Sequence, residues 1–422
     1  MNEHHASVSA DTVELTADAT RMAPTRVDWT RARMIAADVE RLPAESVPLD
    51  RAVGRRLVAD LRSLIDVPHY ASSAMDGWAV AGEPPWQLVR SPWLEAGQAT
   101  PIVTGGLVPR GVHGILRSEH GAERNAVPGR QLVRTGSADA DEPRAGQHIR
   151  PVAEEARAGE LIFPVGELLS PAHIAVIAAC GYNEVTVVRQ PRVAIVNTGR
   201  EVVDVGVPQP GSVRDSFGPQ FPALVEMMGG RVVWQTHVDD DVDRLARALG
   251  FRADDTDHTD DTDEPDVIIT TGGTGSSDVD FLHRALHRLN ARVLIDGIAM
   301  RPGSPSVLAR LPGGCVVVGL PGNPLAAMMG MLTLTQPLLD SLTGTPPRRL
   351  GADVLGAAVE NRRGRTHLVP YSRVAGAAHP VGWNGSGMMR GLAIADGVLV
   401  IPPQGADVGQ RVQTITLPWQ QR

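Results

Sequence analysis

The run Asp66-Val67-Pro68-His69-Tyr70-Ala71-Ser72-Ser73-Ala74-Met75-Asp76-Gly77-Trp78-Ala79-Val80 places one carboxylate, Asp76, at a tight turn ahead of an alternating strand. Asp followed by Gly favours a turn, and glycine tolerates positive φ. A carboxylate fixed in this way can order a metal ion or a phosphate-bound water; the same turn also serves as plain hairpin chemistry. Further along, Thr270-Thr271-Gly272-Gly273-Thr274-Gly275-Ser276-Ser277-Asp278-Val279-Asp280 follows a strand-like apolar run. Glycines there let backbone amides face an anion, and the hydroxyls of Thr274 and Ser276 add donors. Asp280 stands just past this loop, as a metal ligand or as a helix cap. A second turn, Gly319-Leu320-Pro321-Gly322-Asn323-Pro324-Leu325, puts Pro324 at a first helical position, where no amide is needed. The amides of Gly322 and Asn323 cap an anion, or the turn is purely a strand-to-helix connection.

These groups need a scaffold large enough to hold them. The chain has 422 residues, enough for two to four domains. Its net charge of −8 argues against a general nucleic-acid binder. All 40 basic residues are arginine. No run approaches the roughly 20 apolar residues of a membrane span, and Met1 to Ala23 has no signal-peptide core. A cytoplasmic protein with a loose tail over residues 1–25 is expected. Cys180 and Cys315 stand far apart among apolar neighbours, as buried thiols in a reducing compartment.

Asp28 is placed to cap a helix carrying Met34, Ile35, Val39 and Leu42, and Leu49 to Leu61 reads as a second helix. Residues 62–146 turn rich in Gly and Pro with short alternating runs, a β-rich insertion. From Gln147 the pattern returns toward helix, and Ser170-Pro171 opens a helix that Gly181 closes. From Arg192 strands alternate with helices: strands at Val193–Val196, Val232–Val238, Val267–Thr271 and Cys315–Leu320, helices at Phe221–Met228, Asp239–Leu249, Phe281–Leu289 and from Pro324. That alternation predicts a parallel α/β sheet. After about residue 345 the chain is β-like again. The acidic run 253–266 reads as a solvated, dispensable loop.

From Leu49-Asp50-Arg51-Ala52-Val53-Gly54-Arg55 through Val80, the chain resembles the signature of MoeA-type molybdopterin molybdenumtransferases, the family that includes gephyrin's C-terminal domain. The Thr-Thr-Gly-Gly-Thr-Gly core also resembles MogA-type molybdopterin adenylyltransferases, and Pro321-Gly322-Asn323-Pro324 matches the family turn. In order along the chain, Thr104, Glu119, Glu184, Asp215 and Ser386 fall at family positions in Val103-Thr104-Gly105-Gly106, Arg117-Ser118-Glu119, Gly181-Tyr182-Asn183-Glu184, Val213-Arg214-Asp215 and Gly385-Ser386-Gly387.

The resemblance implies a multi-domain α/β and β protein. Its parts are a helical linking domain (26–61 plus 147–180), a β-rich inserted domain (62–146), a MogA-like parallel α/β domain (181–344) and a C-terminal β-barrel-like domain (345–422). It implies insertion of molybdate into adenylylated molybdopterin with release of AMP, assisted by Mg2+ or a similar divalent cation. It also implies a homodimer with the site between protomers, and a molybdopterin adenylyltransferase as a candidate partner. Asp76, Thr104, Glu184, Asp215 and Asp280 would then be catalytic, with Asp215 and Asp280 holding the metal. Gly272, Gly273, Thr274, Gly275, Ser276, Arg301, Pro321, Gly322, Asn323 and Ser386 would bind substrate.

The chain departs from the family at several points. His113 stands for an aspartate, and Pro151-Val152-Ala153-Glu154-Glu155 for an arginine-rich turn. Arg200 stands for an aspartate and Phe217 for an asparagine. Arg301-Pro302-Gly303-Ser304-Pro305 replaces Lys-Pro-Gly-Lys-Pro. Arg301 keeps the charge of one lysine and can grip an oxyanion bidentately; Ser304 loses the other. Compensation from Arg200 or Arg214 is expected in a working enzyme. A divergent paralogue acting on a related pterin or nucleotide, and a non-catalytic binding or scaffold protein, stay open as alternatives.

Overall fold

The computed structural model describes residues 26–127, 129–250, 264–272 and 279–420, with the side chains of 279 and 280 excepted. It contains two compact units, Val39–Pro191 with Leu339–Pro347, and Met1–Asp38 with Arg192–Leu338 and Arg348–Arg422.

In the first unit a six-stranded sheet runs in the order Gly114–Arg117, Gly77–Ala81, Gln98–Ile102, Trp86–Leu88, Arg130–Arg134, Gly121–Asn125. Strand alternation buries both faces: Val80, Trp86, Leu116 and Leu132 pack on one, Ala79, Ala81, Leu94 and Ile115 on the other. A second core gathers Val47, Ala52, Leu57, Leu61, Leu169, Ile177, Val185 and Val187. It is roofed by the helix Pro171–Ala179, which Ser170 and His173 cap reciprocally.

Two helical expectations fail here. The stretch Leu49 to Leu61 forms only a 3-10 turn, Leu49–Arg51, and then runs extended beside Glu184–Val188. Its backbone bonds go to that strand and to Glu167: Val58 N donates to Thr186 O, and Leu57 N to Glu167 O. Apolar residues read as a helical stripe are inward residues of an irregular segment. Likewise Ile149–Arg150 is a strand, paired antiparallel with Ser72–Ser73.

The second unit holds a six-stranded sheet ordered Arg231–Val238, Arg192–Thr198, Val267–Thr271, Val316–Leu320, Val307–Arg310, Arg292–Asp296. The first four strands are parallel. The last two are antiparallel, so the expected parallel sheet is a parallel core with an antiparallel extension. The chain leaves Arg192–Thr198 in one direction and returns on its other side at Val267–Thr271, a topological switch point where α/β sheets bind ligands. The acidic run does not end as free loop: Asp266 Oδ2 accepts from Arg192 N at 2.8 Å, and its carbonyl from Val316 N. Residues 253–263 lie outside the described residues.

Helix Trp29–Ala37, capped by Asp28, packs in this unit rather than with 147–180. Trp29 is buried, and its Nε1 donates to Thr333 Oγ1 at 3.0 Å inside the π-helical turn Met331–Thr335. In the C-terminal region Thr366–Val374, Gly397–Ile401, Arg411–Ile415 and Gly351–Val354 pair in sequence, with Ala377–Pro380 against Thr366–Val374. A bridge between Leu355 and Ala378 joins the two ends of that ladder around Val369, Tyr371, Leu399 and Ile401. The short strand Met300–Arg301 leaves the α/β part and pairs with Thr366–His367, which brings Arg301 to the C-terminal strands. Among the described residues no helix is long and apolar enough to cross a membrane.

Candidate functional site

In the first unit the Asp76 corner forms as the sequence predicts. Gly77 sits at φ 151, and a Cβ there would lie 2.0 Å from Leu116 O, so only glycine lets the corner press onto the neighbouring strand. Asp76 is exposed, and its Oδ1 accepts from Thr104 N at 2.7 Å and Thr104 Oγ1 at 3.0 Å. The Thr104 amide, then its hydroxyl, hold the Asp76 carboxyl below the usual carboxylate range. These two candidates therefore act as one group. Glu184 stands apart on the strand Glu184–Val188, where its Oε2 accepts from Ser46 Oγ at 3.0 Å. Glu119 is exposed beside Ser118 and Arg117.

In the second unit the carboxyl ends of the middle strands converge. Thr198 Oγ1 donates to Thr271 O at 2.7 Å, Thr271 Oγ1 to Asn197 Oδ1 at 3.2 Å, and Gly272 N to Leu320 O at 3.0 Å. Gly272 has φ 84, and a Cβ on it would meet Thr198 Oγ1 at 2.6 Å. A Cβ on Gly322 would lie 3.6 Å from Gly272 Cα, so the two glycine turns abut. Asp215 is half-buried beside them. Its Oδ1 accepts from Phe217 N at 2.8 Å and Gly218 N at 3.0 Å, while Oδ2 has a long contact, 3.4 Å, from Asn197 Nδ2. The backbone amides fix the carboxylate and leave Oδ2 with spare accepting capacity. Gly273, Thr274, Gly275 and Ser276 lie outside the described residues, as does the side chain of Asp280, whose backbone belongs to helix Val279–Arg288.

The Ser386–Gly387 turn lies against the start of helix Pro324–Gly330. Ala326 N donates to Ser386 O at 3.1 Å, and a Cβ on Gly387 would lie 3.7 Å from Asn323 Oδ1. Pro321 is buried behind them. The Arg301 turn reaches the same helix: a Cβ on Gly303 would sit 2.9 Å from Ala326 O.

The sequence reading missed the strongest electrostatic feature of this unit. Around Arg301 gather Arg363, Arg365 and His367. Arg365 Nη1 lies 3.4 Å from Ser304 Oγ, where the resemblance expects a lysine. Burial, then the charge of Arg363, lowers the Arg301 guanidinium's affinity for its proton. Burial, then Arg301, pushes the His367 imidazole down to about 4, so it is neutral at pH 7. Arg301 Nε and His367 Nδ1 are buried without a hydrogen-bond partner. A buried guanidinium donor left over beside another arginine marks a place for an anion. The expected compensation from Arg214 is not what the structure shows, because its Nη1 donates to the carbonyls of Val203 and Asp215. Arg200 is exposed. The signal available in sequence was the dense Arg362-Arg363-Gly364-Arg365 turn, whose register with Arg301 depends on a strand pairing 66 positions away along the chain (367 − 301).

The fold and this site define a class: a multi-domain protein whose α/β domain presents glycine turns at a switch point, joined to a C-terminal β domain. Three family models match it, the MoeA N-terminal region (domain I and II) over 26–181, a "probable molybdopterin binding domain" over 194–341, and the MoeA C-terminal region (domain IV) over 354–417. A molybdopterin molybdenumtransferase of Nostoc sp. is 31% identical over 321 residues, 71% of this chain and 70% of that one. One from Staphylococcus aureus is 27% identical over 408 residues, 89% and 91% of the two chains. The crystal structure of a molybdopterin biosynthesis MoeA protein from Pyrococcus horikoshii superposes with a TM-score of 0.68 at 26% identity, covering 93% of this chain and 99% of that one. The chain belongs to the MoeA family.

Proposed function

We propose that this chain is a molybdopterin molybdenumtransferase of molybdenum cofactor biosynthesis, taking adenylylated molybdopterin and molybdate and releasing AMP. Family membership, relatives with that name and the α/β molybdopterin-binding domain support the class. The observation that carries the chemistry is the Arg301–Arg365–His367 cluster beside Ser304, with the buried Nε of Arg301 unpaired. Molybdate and phosphate are both oxyanions, and a guanidinium binds either through parallel N–H donors.

In this reading the Gly272 and Gly322 turns cradle the phosphates, and Arg301 and Arg365 hold the oxyanion while neutral His367 donates or accepts according to its tautomer. Asp215, with Asp280, would hold a divalent cation, which would screen phosphate charge when bound. Asp215 suits such a role because its Oδ1 is fixed by amides and its Oδ2 is nearly free. Substrate phosphate oxygens would complete the shell of such a cation. Water would add to one phosphorus as the phosphoanhydride bond breaks, giving AMP and molybdopterin phosphate; the two dithiolene thiols would then replace an oxide of molybdate, which leaves as water with their protons. Asp76, Thr104 and Glu184 would be the remaining catalytic residues of a homodimer in the cytoplasm.

The test is AMP release from adenylylated molybdopterin by the purified protein, with and without molybdate. Molybdate-dependent release is expected. Tight binding of the substrate with no AMP in either condition would favour the binding-protein alternative.

A further inference from the structure

Behind the Asp76 corner lies a charged cluster that the proposed chemistry does not use. Glu142 is deeply buried, its side chain 5% exposed. Its Oε2 lies 2.5 Å from His120 Nδ1, and its Oε1 lies 3.5 Å from Arg117 Nε and 4.0 Å from His148 Nε2. Arg117 Nη2 in turn lies 3.1 Å from His120 Nε2. A carboxylate only accepts, so His120 Nδ1 donates to Glu142 Oε2. Arg117 Nη2 lies 3.3 Å from that same Nδ1, so Arg117 and His120 face the one carboxylate together. Glu119, 3.6 Å from Arg117, and Arg144 are the other charges facing it.

The cluster ties together the two backbone segments that bracket Asp76. On one side Ala74 N donates to His148 O at 2.8 Å, and Ser73 pairs with Ile149. On the other, Ser118 N donates to Asp76 O at 2.9 Å, and Gly77 pairs with Arg117. The Glu142 carboxylate meets groups from both segments, Arg117 with His120 on one side and His148 on the other. His148 is held at φ 58, a conformation costly for a residue with a Cβ that persists only where the surroundings enforce it.

We propose that Glu142 and His120 are positioning residues: buried, out of reach of substrate, they lock the two segments flanking Asp76 and so hold its carboxylate against Thr104. Burial alone would raise the Glu142 carboxyl, but the His120 hydrogen bond and the charges of His120 and Arg117 outweigh it and keep it ionised. An ionised carboxylate is what Arg117 and the two histidines need between them.

The inference rests on the reading that Asp76 takes part in the reaction, so its test has an arm independent of turnover. In the full chain, labelled with 13C at aspartate carboxyls, Asp76 is assigned by Asp76→Asn and titrated in wild type, Glu142→Gln and His120→Phe. The wild-type carboxyl titrates below an ordinary aspartate; in folded Glu142→Gln or His120→Phe it moves back toward the ordinary value. AMP release falls about tenfold in kcat with KM unchanged, the expected result of misplacing a group without removing it. Glu142→Gln adds no further loss to Asp76→Asn. An Asp76 titration unmoved in both folded variants overturns the proposal. Loss of the whole activity reading would leave that titration still able to decide it.

Discussion

The two ends of the proposed chemistry hold charge in opposite ways. At the Asp76 corner a fully exposed carboxylate has its donors in place: Thr104 satisfies Oδ1 twice, and the buried Glu142 cluster braces the backbone behind it. Around Arg301 the charges are of one sign, and the buried Nε of Arg301 is left unpaired. In the first region Arg117 Nε and Glu142 Oε1 also lack hydrogen bonds, but they face each other as opposite charges at 3.5 Å, whereas the charge that perturbs Arg301 is another arginine, Arg363. A protein that leaves buried donors unmet beside mutually repelling arginines loses stability there, and an oxyanion is the partner that would restore it.

The comparison breaks most easily at Gly77. Gly77→Ala forces a Cβ to 2.0 Å from Leu116 O. It should cost about 3 kcal/mol or more, because both the backbone conformation and the contact are lost. Thermal unfolding measures this; a change under about 1 kcal/mol would mean that the corner is not tightly pressed. At the other end Arg365→Ala should leave the fold intact and weaken oxyanion binding by about 10- to 100-fold, the worth of one charge-assisted contact. Molybdate titration of initial rates reads it.

His367 sharpens the contrast through pH. Its folded pKa of about 4 lies below its ordinary 6.5, so between those values the unfolded chain binds a proton that the folded chain does not. Stability is therefore full above about pH 6.5 and lost as pH falls toward about 4. The ring is partly exposed, so about 1 kcal/mol is expected after screening. Urea unfolding at pH 7 and pH 4.5 should show the loss, His367→Phe should remove it, and saturating phosphate should lessen it by supplying the missing anion. Smallest of all, Arg214→Ala should change rates by no more than about twofold, since that exposed guanidinium is spent on the carbonyls of Val203 and Asp215. A large loss there would return the compensating role to Arg214.

Local chemistry made much of this legible in sequence. Val193–Val196 and Val267–Thr271 are apolar on both faces because both faces are covered, and that pattern needs no tertiary knowledge. Asp76-Gly77 and Ser170-Pro171 state their turn and cap outright. Leu49 to Leu61 misled because apolar spacing in an irregular segment mimics a helix when its backbone partners lie far away in the chain. Asp266 looked like the last residue of a solvated run, yet it caps the edge of a central strand. Arg365 was missed for a related reason: its neighbour Ser304 is remote in sequence, and only the pairing of Met300–Arg301 with Thr366–His367 joins them. Local signals fixed elements and turns, whereas the electrostatics of the site came from long-range register.

In the proposed function Arg301 and Arg365 form the oxyanion site of a working transferase despite Ser304. Single-turnover AMP release from adenylylated molybdopterin, with molybdate varied, compares wild type with Arg365→Ala directly. The account predicts molybdate-dependent release by wild type and a requirement for about 10- to 100-fold more molybdate in folded Arg365→Ala. Equal molybdate dependence in the two proteins would contradict it.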